Sequence, residues 1–156
     1  MTYDNVKKMI DMSLKKKEIL VEILRLTKAQ GDNIENDDMD NLGKLLAEKE
    51  KLMEKVDILD KDFLYLYNII KSEENIESLE KINIEKYANI KSLKEIVIEI
   101  NTILNQISSI DRNNTIKMKS NVDKIKSDLK QVKEAKRAYK GYNYEAVGSM
   151  LIDEKK

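Results

Sequence analysis

LGKLLAEKEKLMEKVDILDKDFLYLYNII (residues 42–70) decides the fold. Leu42, Leu45, Lys49, Leu52, Val56, Leu59, Phe63, Leu66 and Ile70 follow one another at alternating steps of three and four. Such a step pattern places all nine side chains on one face of an α-helix. Written as heptads, Leu45, Leu52, Leu59 and Leu66 occupy d, and Leu42, Lys49, Val56, Phe63 and Ile70 occupy a. That is a coiled-coil seam about four heptads long, with Lys49 as its single polar member. Leu46, Met53 and Tyr67 at e widen the stripe. A widened stripe suits a bundle with more than one neighbour better than an isolated two-stranded coil.

Upstream, residues 4–30 carry Val6, Met9, Ile10, Leu14, Ile19, Leu20, Ile23, Leu24 and Leu26 at helical spacing, interrupted on one side by the solvated Lys15-Lys16-Lys17. Gly31 stands where a C-terminal cap belongs, and GDNIENDD (31–38) reads as a polar turn. Asp37 or Asp38 is placed to cap the next helix by accepting from its free first-turn amides. Downstream, KSEENIESLE (71–80) has weak periodicity and reads as a connection, with Ser72 or Ser78 as cap and a third helix starting near Leu79. Tyr87, Ile90, Leu93, Val97, Ile100, Leu104 and Ile107 again alternate by three and four. The next two seam positions are Asp111 and Asn114, and the stripe resumes at Met118, Val122, Ile125, Leu129 and Val132. With neither Gly nor Pro between 80 and 139, a continuous or merely bent third helix is preferred over a fold-back at 111–115.

The expected fold is therefore all-α: an antiparallel helical hairpin packed on a long, continuous or bent C-terminal helix, in a three- to four-helix bundle or coiled coil. Residues 1–140 form one helical domain in this reading. After Gly141 the pattern stops, and 141–156 is expected to be a mobile C-terminal tail.

Composition narrows function. The 156 residues include no His, Cys, Pro or Trp. Without His and Cys there is no thiol nucleophile, no Ser-His-Asp arrangement and no thiolate or imidazole metal site. The four Gly, at 31, 43, 141 and 148, are too far apart for a phosphate-binding loop. An enzyme is not expected, nor is any cofactor or metal. No apolar run approaches the ~20 residues of a spanning helix, and the N-terminus lacks a signal-peptide pattern. A cytoplasmic location without membrane insertion follows as the expectation.

The net charge is zero, yet it is unevenly spread. Residues 1–31 hold 7 basic and 4 acidic groups, residues 32–72 hold 6 and 11, residues 73–116 hold 5 and 8, and residues 117–156 hold 11 and 6. Adjacent antiparallel segments of opposite sign account for this. Asp123, Asp128 and Glu134 interrupt the basic arm, so a nucleic-acid partner is not expected.

The rear stripe exceeds what a compact bundle needs. Helices of about 27 and 34 residues reach ~40–50 Å, whereas a continuous third helix of about 60 residues reaches near 90 Å. Met118, Val122, Ile125, Leu129 and Val132, with Tyr139 and Tyr142, are left to be covered by the chain itself, by a second copy or by a partner helix. Lys119, Lys126, Lys130, Lys133 and Lys136 would steer such a partner.

LTKAQGDNIENDDMDNLGKLLAEKEKLMEKVDILD (26–60) is similar to the front half of small flagellar export chaperones of the FlgN/FliT type. IDRNNTIKMKSNVDKIKSDLKQVKEAKRAYKG (110–141) and the ending Met150-Leu151-Ile152-Asp153-Glu154-Lys155-Lys156 resemble the same group. The resemblance implies a cytoplasmic helical chaperone that binds late flagellar subunits, either hook–filament junction proteins or the filament cap protein. It implies delivery to the export gate and its ATPase complex, and substrate binding by the C-terminal helical region. Carried onto this chain, the binding residues are Val122, Ile125, Leu129, Val132, Tyr139 and Tyr142. The alternative is a homodimeric scaffolding coiled coil that buries the stripe against its own copy.

Overall fold

The computed structural model describes residues 2–82 and 87–147, with side-chain surroundings up to residue 141. Three α-helices, α1 (Thr2–Glu35), α2 (Met39–Glu74) and α3 (Asn89–Val147), and one 3-10 turn (Leu79–Lys81) make up its regular structure. The expected all-α bundle is what the chain forms. It divides into two units, Met1–Thr115 and Ile116–Lys156.

Within the first unit the helices run up, down and up. Thr2 donates to Glu73, Lys16 to Asp60 and Lys49 to Gln30, so numbers rise on α1 as they fall on α2. Asn89 donates to the Tyr3 carbonyl, Lys17 pairs with Glu99, and Asn114 donates to the Thr27 carbonyl, so α3 ascends beside α1. All three helices contribute to two apolar clusters. Val6, Met9, Leu66, Ile70, Ile82, Ile90 and Leu93 form the first cluster. Leu20, Ile23, Ile100 and Ile107 form the second, with Leu52 and Val56 against them. Each fully buried aliphatic chain of this kind stabilises the bundle by ~1.5–3 kcal/mol before entropy is counted.

All nine seam residues of α2 are buried or half-buried. The widening at e holds at one end only. Tyr67 is half-buried, because Ile76 and Leu79 of the connecting segment join the same cluster. Leu46 and Met53, far from that segment, stay exposed.

The first helix does not stop at Gly31. It continues to Glu35, and Gly31 is buried inside it. A Cβ built on Gly31 would lie 2.8 Å from Asn114 Oδ1, so the residue is small because α3 crosses there. The actual turn is three residues long. Asp37 takes a positive φ of 53°, and Asp38 caps α2 by accepting from the Asn41 amide. α2 likewise outruns its expected end, reaching Glu74 before Asn75 closes it in the left-handed conformation (φ 52°). The Asn75 and Ile76 amides then donate to the Ser72 and Lys71 carbonyls, as a helix terminator requires.

The third helix starts later than Leu79. Ser78 and Ile82 are extended on either side of the 3-10 turn, and the α-helix begins at Asn89. Through 111–116 it runs unbroken, as the preferred reading had it. It passes Gly141, where the tail was expected to begin, and reaches Val147, while the rest of the expected tail, 148–156, lies outside the described residues. Among the described residues, no helix is long and apolar enough to cross a membrane.

Candidate interaction surface

A polar layer interrupts the apolar interior of the first unit, with Ile34 and Leu42 buried on its far side. Lys49 Nζ, its side chain 10% exposed, lies 2.7 Å from Asp111 Oδ1 and 3.2 Å from Gln30 Oε1. One turn further along α3, Asn114 Nδ2 donates to the Thr27 carbonyl at 2.9 Å, over the gap left by Gly31. The polar seam position of α2 and the two polar seam positions of α3 are therefore one feature, satisfied by α1. Sequence reading treated Lys49 and the Asp111/Asn114 interruption separately. Their common signal was that both break an otherwise apolar three-four pattern.

No residue beyond Asn114 is buried among those described. In the second unit α3 nevertheless continues the same spacing. Met118 is half-buried. Val122 is 41% exposed, Ile125 58%, Leu129 56%, Val132 52% and Tyr139 66%. At 100° per residue these side chains fall within an arc of about 100° on one face of the helix. The structure thus brings six of the seven expected binding residues onto one face, while the side chain of Tyr142 lies outside those described. Ile116, also exposed, falls on the opposite face and is not part of the row.

What such a surface can do is bury another apolar surface. At ~25 cal/mol per Å², covering five large side chains stabilises a complex by several kcal/mol. Most of the lysines around the row are fully exposed, which keeps the helix soluble without hiding the stripe.

A second apolar concavity lies within the first unit, where Phe63 and Tyr67 of α2 face Leu79, Leu93 and Val97. Its walls belong to the first core cluster.

Compared with known proteins, residues 1–151 match the family model described as FlgN protein. No curated protein and no solved structure matches the chain.

Proposed function

The chain belongs to the FlgN family of flagellar export chaperones, and from that premise we propose that it shields late flagellar subunits in the cytoplasm before their export. The subunits in question are hook–filament junction proteins or the filament cap protein. Hand-over to the export gate and its ATPase complex is part of the same proposal. The observation that carries the reading is the row Val122, Ile125, Leu129, Val132 and Tyr139, each exposed, on the part of α3 that follows its last described buried residue, Asn114.

The mechanism needs no chemistry. An exported subunit has a terminal segment that must stay unassembled yet protected from aggregation. An amphipathic helix formed by that segment lays its apolar face on the row, ordering as it binds. Much of the interaction energy goes into that ordering, so affinity stays moderate and release stays easy.

The test is direct. Ile125→Asp with Leu129→Asp places two charges in the row without touching a buried residue. Helical circular dichroism and the melting temperature should stay as in the parent. Capture of purified junction or cap protein should fall by more than about tenfold, since two desolvated carboxylates each cost at least ~1 kcal/mol. Undiminished capture by the folded variant would remove this face from the binding site.

A further inference from the structure

We infer that the partner helix carries a row of Asp or Glu beside its apolar stripe, and an acid within the stripe itself. The inference rests on the proposal above, that the face from Met118 to Tyr139 takes a helix from another protein. Written as heptads, Met118, Ile125, Val132 and Tyr139 are d, and Val122, Leu129 and Lys136 are a. The residue after each d is then e, the position that borders a docked helix and sets its choice of partner. Those residues are Lys119, Lys126, Lys133 and Lys140, one lysine per heptad without exception. Lys119, Lys126 and Lys133 are all exposed. On the other border, at g, stand Asn121, Asp128 and Ala135, which bring a single charge.

This asymmetry weighs against a second copy of the chain. In an antiparallel pair e faces e, so the two lysine rows would oppose each other. In a parallel pair g faces the next e, so Asp128 meets Lys133, while Asn121 offers Lys126 no counter-charge. A helix with acids along its border meets Lys119, Lys126 and Lys133. Within the stripe, Lys136 is the polar exception. The molecule shows how it accommodates a seam lysine: Lys49 on α2 is met by Asp111 from the facing helix at 2.7 Å. The same chemistry asks for a carboxylate opposite Lys136, and that fixes the partner's register on the stripe.

Two labelled synthetic peptides test this, each about four heptads long with the same Leu/Ile stripe. One carries Glu at its border positions and the other Lys. Their affinities are measured by fluorescence anisotropy against the full chain, the triple variant K119E/K126E/K133E and the variant I125D/L129D. For the parent, the Glu peptide should bind about tenfold tighter than the Lys peptide, and the preference should shrink as salt rises. The triple variant should reverse the preference, and I125D/L129D should bind neither peptide. Equal affinities for both peptides, both lost in I125D/L129D, would overturn the charge rule while leaving the stripe as a docking face. Absence of binding by either peptide would overturn both. Sedimentation equilibrium on the parent chain gives a further check. A dimer tight at nanomolar concentration would assign the face to a second copy and overturn the inference.

Discussion

Gly31 shows how one residue position can look like a stop and act as a spacer. In a helix interior Gly→Ala ordinarily stabilises by ~1 kcal/mol, because the chain loses less freedom on folding. At Gly31 the added methyl would sit 2.8 Å from the Asn114 carboxamide oxygen, and Asn114 is buried and tied to the Thr27 carbonyl. Moving it breaks a buried hydrogen bond worth ~1–3 kcal/mol when a group is left unmet. Gly31→Ala should therefore destabilise by about 1 kcal/mol net. In an Asn114→Ala background the same substitution should stabilise, and Gly43→Ala, which meets nothing within 4 Å, should stabilise in any background. Urea unfolding followed by helical circular dichroism reads the sign in each case. A stabilising Gly31→Ala in the parent would show that the crossing with α3 is looser than this. The neighbouring ion pair has an asymmetry of its own. Asp111 is 43% exposed and water can serve it, whereas the Lys49 side chain is 10% exposed. Removing the carboxylate strands a desolvated ammonium, and removing the ammonium does not strand the carboxylate. Asp111→Ala should cost about 2 kcal/mol and Lys49→Met less than about 1 kcal/mol, measured in the same denaturation series. Equal costs would mean that the layer is wetter than its exposure indicates.

The helices themselves differ in how plainly the sequence announces them. α2 could be read nearly residue by residue, because burial tracks its heptad seam from Leu42 to Ile70. Its end could not, since KSEE (71–74) has no apolar pattern and is held in the helix by the Asn75 cap. Gly31 misled for a related reason. A cap and a close crossing both select Gly, and only the position of α3 distinguishes them. The exposed row was legible because apolar residues at helical spacing outran the length of the first two helices. What was not legible was that Asp111 and Asn114 form a polar layer with Lys49 and the Thr27 carbonyl, because those partners lie 62 and 87 residues away. Every buried residue described lies at or before Asn114. A chain ending at Lys124 keeps every buried residue described and should melt within about 4 °C of the full chain, with a smaller helical signal. A loss of more than about 10 °C would show that the rear of α3 takes part in the fold.

For the whole molecule, the contrast between a packed unit and an exposed helical segment is itself a requirement of the proposed work. A face kept for another protein has to stay uncovered, so the segment bearing it gains nothing from tertiary burial until the partner arrives. A helix held mainly by its own hydrogen bonds is marginal in water, even with the eight Lys of residues 116–140 favouring it. Residues 116–140 should therefore open locally far more often than α3 between Ile90 and Ile107, where four side chains are at most 8% exposed. Hydrogen exchange followed by mass spectrometry on the full chain resolves the two stretches of the same helix. Amides from 90 to 107 should exchange at rates set by global unfolding. Those from 116 to 140 should exchange at least ~100-fold faster, and should slow markedly when a captured subunit is added. Protection that spreads into 116–140 only at high protein concentration would mean that a second copy occupies the face. Equal protection along all of α3 in dilute solution would mean that the face is already covered, leaving nothing for a partner to bind.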